Sequence, residues 1–459
     1  MTVFGRPDVK AVHFVGVGGA GMNVLAGILI SLGLEVSGSD LRRSPATERL
    51  AARGASIREG HRSEQAAGAD LLVYSSAVRR DNPELAAARS RGVPILHRSE
   101  LLGGLMKLKR GVAVAGSHGK TSTAAMIAWI LVRSGYAPSL ALGGDAIGLE
   151  DDPGWGAGDL LVAEADESDG SLERLAPAAE VITGLDLDHV DYYSSWEKLI
   201  DTFRRFVDRL PPEGTLVIHQ DTADLERLRK GVGRVLTYGL NPGARVRAAG
   251  VRLERGGSCF TVEKDGDELG EAALPQLGLC NVQNSLGAIA LCLEEGVPFP
   301  MISRALAGFR GVRRRLEIRS AGPVMVVVDY AHHPVEIVAA LAAVRTARPR
   351  KIWCVFQPHR YTRTRHFFRE LAESLLGADR IIITELYPAF ELPLPGVSSA
   401  LLVDALKERG RADPVLMEQS AIRPYLEREV AEGDVVVIMG AGDVGRLAGD
   451  LARNPLRGG

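Results

Sequence analysis

Short, unbroken apolar runs recur in the first part of the chain, in AVHFVGVGG (11–19), DLLVYSS (70–76), GVAVAGS (111–117) and DLLVAEA (159–165), each closing on Gly, Ser or an acid. A strand that is apolar on both faces is covered on both faces, so these runs read as parallel strands inside a buried sheet. Between them, NVLAGILISLG, PELAAARSRG and TAAMIAWILVRSG carry apolar residues at helical spacing. Strands alternating with helices predict an α/β chain with helices on the sheet faces. The rhythm resumes in VMVVVDY (324–330), KIWCVFQ (351–357), DRIIITE (379–385) and DVVVIMG (434–440).

Two seams interrupt it, a basic stretch at 107–110 and a Gly- and Arg-rich stretch at 308–315. Roughly 240–274 reads differently, as turn-rich β structure, with GG at 256 and DG at 265 matching hairpin turns. It is expected as an insertion in a middle domain. At 459 residues the chain is too long for one ordinary core, and two to four domains are expected.

Composition narrows the class. With 46% hydrophobic and 24% charged residues the chain reads as soluble and globular. A net charge of -2 offers no global field for nucleic acid or an anionic membrane, so an anionic ligand must be caught locally. Cys259, Cys280, Cys292 and Cys354 form no CxxC pair, which argues against a zinc site or a disulfide framework. No run approaches the roughly 18–20 apolar residues of a membrane helix, and a cytoplasmic protein without membrane insertion is expected.

Five segments could carry chemistry. Gly16, Gly18 and Gly21 follow a strand, and Asp40 closes the next one about 20 residues on, the spacing of a dinucleotide turn. Read alone, this admits an NAD-dependent oxidoreductase. A second copy, Gly440, Gly442 and Gly445, reflects how readily packing alone produces the spacing. Another nucleotide diphosphate is the better reading of the first copy, and a structural turn of the second. GSHGKTST (116–123) also joins a strand to a helix. There the amides of Gly116, Ser117, His118, Gly119 and Ser122 can surround phosphate, Lys120 adds positive charge, and Thr121 offers a hydroxyl to Mg²⁺. The strict pattern would need glycine where Val114 stands. In EADESD (164–169), Glu164 ends a strand where a magnesium ligand is needed. In DHVD (188–191), His189 could add nitrogen to a second metal. Late in the chain, DYAHHP and PHRYTRTRHFF put His332, His359, Arg360, Arg363 and Arg365 beyond strand ends, where open α/β sheets bind ligands and guanidinium groups match carboxylates.

These motifs, in this order, resemble the Mur ligase family over nearly the whole chain: GVGGAGM, VSGSD, SSAVRRDNPEL, GSHGKTST, EADESD, DHVD, NVQN, FRGVRRRLE, DYAHHP, FQPHRYTRTR, YPAFELPLPG and MGAGD. The resemblance implies α/β architecture in three domains. These would be an N-terminal Rossmann-like parallel sheet for a UDP-sugar (1–108), a central P-loop ATPase-like domain with a small β-rich insertion (109–311), and a C-terminal Rossmann-like domain for an amino acid (312–459). GVGGAGM, DYAHHP and FQPHRYTRTR are most similar to members that add L-alanine to UDP-N-acetylmuramate with ATP and Mg²⁺. The stretch LIDTFRRF (199–206) lacks the modified lysine of sister ligases that add later residues.

The implied sites are assigned by position. Thr121, Glu164 and His189 would hold metal, and Lys120, Glu164, His189 and His332 would be catalytic. ATP would meet the loop residues Gly116, Ser117, His118, Gly119, Lys120, Thr121 and Ser122, together with Asn281, Asn284, Arg314 and Asp329. The UDP-sugar would meet Gly16, Gly18, Gly19, Gly21, Met22, Ser39, Asp40, Ser75 and Ser76. Alanine would meet Tyr330, His332, His359, Arg360 and Arg363. A monomer or weak homodimer is expected. A recycling ligase that attaches a preformed tripeptide to the same sugar nucleotide is the nearest alternative. Cys280 stands where the family usually has His, Gly184 where it has Asn, Val328 where it has Asp, and Asn23 where it has Ser.

Overall fold

The computed structural model describes residues 9–150, 154–188, 192–389, 391–411 and 413–456. They form three sheets with helices between the strands, the α/β architecture that the alternating pattern predicts, in the three domains that the family resemblance implies. The first sheet is wholly parallel, with Ser56–Glu59, Glu35–Asp40, Ala11–Val15, Leu71–Tyr74 and Ile95–His97 side by side. In the second, the P-loop strand Arg110–Ala115 lies between Ala179–Ile182 and Leu160–Glu164. This central placement brings the end of Leu160–Glu164 beside the loop that follows Arg110–Ala115, in the register Val114 to Glu164. The expected insertion is the strands Val246–Glu254, Gly257–Lys264 and Asp267–Leu274 at one edge of that sheet.

The described chain divides into two compact units: residues up to 248 with 262–270 and 284–306, and 249–261 with 271–283 and everything from 307. Within the first unit, one buried cluster runs from Phe14, Leu29 and Leu105 to Ala113, Leu161, Phe203 and Phe206, so the first two sheets share a core.

In the second unit, Met325–Asp329, Val435–Met439, Ile352–Phe356, Arg380–Ile383 and Val415–Leu416 are parallel, and Glu317–Ala321 adds an antiparallel edge. Alternate residues feed two cores: Val327, Cys354 and Val437 on one face, Val326, Val355 and Ile438 on the other. That is why these runs are apolar without a break. The edge strand EIRSA has no such run, being half polar and largely uncovered, and sequence pattern did not reveal it. No helix of the described residues is long and apolar enough to cross a membrane.

Candidate functional site

The glycine turn after Ala11–Val15 is built from main-chain contacts. Gly16 and Val17 donate their amides to the Ser39 carbonyl at 2.8 and 3.0 Å, and Gly18 donates to Asp40 Oδ2 at 2.8 Å. A Cβ at Gly18 would sit 2.9 Å from that carboxylate oxygen, so a side chain there would displace Asp40 from the turn. Gly19 caps the helix Ala20–Ser31, whose first turn contains Gly21. Met22 is buried in the shared core. Ser39 is fully buried, and its hydroxyl donates to Glu84 at 2.8 Å. The same buried carboxylate lies 2.5 Å from His13 Nε2 and 2.8 Å from His61 Nδ1. Burial alone would raise the Glu84 carboxyl, but hydrogen bonds from His13, Ser39 and His61 hold it below its ordinary value. Sequence reading missed this cluster, because nothing local links His13 to Glu84. Ser75 is half-buried, while the Ser76 hydroxyl meets Asp169 and lies 3.1 Å from His97 Nε2.

The loop 116–119 opens the buried helix Lys120–Arg133. Gly119, at φ +81°, has Asn284 Oδ1 where a Cβ would approach to 2.3 Å. Ser117 donates its amide to the Gly184 carbonyl and its hydroxyl to the Asp186 carbonyl, and Thr183 Oγ1 donates to the His118 carbonyl at 2.5 Å. The Ser122 side chain is buried in the first turn of the helix. Thr121 Oγ1 donates to Glu164 Oε1 at 3.0 Å, and Gly143 donates its amide to Glu164 Oε2 at 3.1 Å. Two oxygen donors at a strand end beside a phosphate loop suit a hard divalent cation. His189 lies outside the described residues. Lys120 Nζ donates to Gly116 O at 2.6 Å, Ser117 O at 3.2 Å and Glu167 Oε1 at 2.9 Å. Burial alone would depress the Lys120 ammonium, but Glu167 and Glu164 raise it above its ordinary value.

On the helix Leu279–Glu294, Asn284 belongs to the first unit and Asn281 to the second, where Asn281 Nδ2 donates to Leu277 O at 3.0 Å. Burial, with Asp329 adding to it, pushes the Cys280 thiol up to about 11. Also in the second unit, Asp329 accepts amides from Leu316 and Ala331 at 2.7 and 2.6 Å, yet burial still pushes its carboxyl up to about 6. Arg314 lies over the Tyr330 ring at 4.9 Å, and its guanidinium donates to the carbonyls of Gly440 and Gly442. The second glycine turn is thus filled by protein. A Cβ at Gly442 would strike Gln357 and Tyr387, which agrees with reading it as a structural turn.

Tyr330, His332 and His359 pack in sequence, ring edges meeting faces at 5.3 and 5.6 Å, and His359 stacks on Tyr387 at 5.7 Å. His332 Nδ1 lies 2.9 Å from the Tyr330 carbonyl and 3.5 Å from Glu336. Burial, then the positive surroundings of His332, Arg363, Arg360 and Arg314, push His359 down to about 3. Arg360 is exposed and starts the helix Tyr361–Leu375, and its amide donates to Tyr387 O. Tyr387 and Glu336 were not picked out from sequence, although YPAF, coming just after a strand, was the available signal for Tyr387.

A lysine-bearing glycine loop between a strand and a buried helix, with an acid at the end of the adjacent strand, places the chain among α/β proteins with a P-loop-type turn. The profiles "Mur ligase family, catalytic domain", "Mur ligase middle domain" and "Mur ligase, glutamate ligase domain" match residues 11–110, 114–292 and 314–442. The chain is 42% identical to the UDP-N-acetylmuramate--L-alanine ligase of Desulfatibacillum aliphaticivorans, over 95% of this chain and 97% of that one. It is 44% identical to the protein of that name from Desulfotalea psychrophila, over 94% and 95%. Among solved structures, the UDP-N-acetylmuramate-alanine ligase of Thermotoga maritima superposes with a TM-score of 0.82 at 30% identity, covering 96% of this chain and 98% of that one. The chain belongs to the Mur ligase family.

Proposed function

We propose that this chain is an ATP-dependent ligase that joins L-alanine to the lactyl carboxylate of UDP-N-acetylmuramate, a cytoplasmic step in making peptidoglycan precursors. The observation that carries the reading is its 42% to 44% identity, end to end, with relatives named for that reaction. The domains are proposed as 1–108 for the sugar nucleotide, 109–311 for ATP and 312–459 for the amino acid.

The chemistry explains why such a site is needed. A carboxylate resists attack by an amine because its oxygen is a poor leaving group. Transfer of the γ-phosphoryl group of ATP to that oxygen makes an acyl phosphate. The free amine of alanine then attacks the carbonyl carbon, and the tetrahedral intermediate expels phosphate. Phosphoryl transfer between anions rests on positioning and charge neutralisation. Lys120 supplies a positive charge, and the amides of 116–122 hold phosphate oxygens. Thr121 and Glu164, with His189, would hold Mg²⁺, which when bound there offsets further negative charge. Asn281 and Asn284 would read the adenine, with Arg314 and Asp329 also meeting ATP. Gly16, Gly18, Gly19 and Gly21 would take the sugar nucleotide with Asp40, Ser75 and Ser76, while Met22 and Ser39 shape the turn from within. Tyr330, His332 and His359 would receive alanine, with Arg360 and Arg363 paired to its carboxylate. The pH-insensitive neutrality of His359 leaves that charge to the arginines.

Purified protein given ATP, Mg²⁺ and UDP-N-acetylmuramate is expected to release phosphate on addition of L-alanine. Release with a preformed tripeptide but not with L-alanine would overturn this reading in favour of a recycling ligase.

A further inference from the structure

The segment Glu164 to Asp169 holds a second acid on the P-loop. Glu167 is 1% exposed, and each of its carboxylate oxygens lies 2.9 Å from Lys120 Nζ. Its backbone is fixed as well, since its carbonyl accepts from the Tyr193 hydroxyl at 2.6 Å and from the Gly170 amide at 2.9 Å. The neighbouring Asp166 is turned to another partner, Arg98, at 2.7 Å.

An ammonium has three hydrogens to donate. Those of Lys120 are taken up by the Gly116 carbonyl, the Ser117 carbonyl and Glu167. To neutralise a nucleotide phosphate, Lys120 must therefore give up a partner. Exchanging Glu167 for phosphate keeps Lys120 beside an anion but leaves the buried Glu167 carboxylate without its cation, a cost that falls on nucleotide binding.

We infer that Glu167 is a positioning residue that docks Lys120 against the loop and competes with the nucleotide phosphates for it. The inference rests on the ATP-dependent reading of this loop. Each binding event exchanges the Lys120–Glu167 pair for a Lys120–phosphate pair, and departure of ADP restores it. Glu167 thereby weakens the hold on nucleotide and favours product release, a role distinct from that of Glu164, which bonds Thr121.

The test is calorimetric binding of ADP with Mg²⁺ to the full chain. Glu167→Gln keeps the shape of the side chain and removes its charge. It is expected to bind ADP about fivefold or more tightly than wild type and to lower KM for ATP. In a Lys120→Ala background the same substitution is expected to have no effect on ADP affinity, because the competition acts through Lys120. If Glu167→Gln does not fold, Glu167→Asp, whose carboxylate falls one methylene short of Lys120, is judged by direction, with tighter ADP binding expected. Unchanged or weaker ADP binding by the folded variant would overturn the inference, as would equal tightening with and without Lys120. Failure of the ligase reading is distinguishable: ADP would still bind, but no amine would bring about phosphate release.

Discussion

Glu180 lies on the strand Ala179–Ile182 beside the P-loop strand, fully buried, and neither of its carboxyl oxygens has a hydrogen-bond partner among the described residues. Burial, with Asp208 adding to it, pushes the carboxyl well above its ordinary 4.5. Between the unfolded and the raised folded pKa, the native state holds a proton that the unfolded chain has lost, so stability falls as pH rises through that window. Glu180→Leu is expected to raise Tm, by the worth of an unsatisfied buried polar group, about 1–3 kcal/mol. The gain should be larger at about pH 8 than at about pH 5; a scan in which it shrinks with pH contradicts the assignment. His359 gives the opposite case. Held at about 3, it is neutral at any working pH. His359→Asn is therefore expected to raise KM for alanine while leaving every inflection of the pH–rate profile between about pH 5 and 9 in place. Neither environment could be read from sequence, because burial and neighbouring charge are set by residues distant along the chain.

At the scale of elements, the phosphate loop was legible because its chemistry is local: strand, glycines, Lys120, Thr121 and helix follow one another directly. The hairpin at 265 was legible for the same reason, Asp265 and Gly266 both having the positive φ that such a turn needs. Partners brought in from afar were not. Glu84 lies 71 residues from His13, and Glu167 lies 47 residues from Lys120. The first contact depends on which helix covers the first sheet, and the second on two strands being adjacent. Gly119 tests the loop as an element. Its φ of +81° and the nearby Asn284 Oδ1 leave no room for a methyl group. Gly119→Ala is expected to weaken ATP binding by at least about tenfold, or about 1.4 kcal/mol, with the rest of the fold intact. Wild-type affinity in a binding titration would mean that the loop tolerates a different backbone.

Across the whole molecule, the α/β alternation followed from the rhythm of apolar runs, but the sharing of cores did not. The basic stretch at 107–110 marks a change of sheet without a break in packing, since Leu105 and Ala113 belong to one cluster. Two compact units predict two calorimetric transitions. Phe203→Ala, at a cost of about 3–5 kcal/mol, is expected to lower one of them, and Leu341→Ala, at about 2–5 kcal/mol, the other; a single transition lowered equally by both would refute the division. The central claim concerns a covalent bond, which oxygen labelling can follow. If the lactyl carboxylate of UDP-N-acetylmuramate attacks the γ-phosphorus and the amine then displaces phosphate, one carboxylate oxygen must leave with that phosphate. With ¹⁸O in both carboxylate positions, ATP, Mg²⁺ and L-alanine, the account predicts released phosphate carrying one ¹⁸O and an amide product retaining the other. Unlabelled phosphate, whether amide forms with the second label lost to water or no amide forms at all, would contradict it.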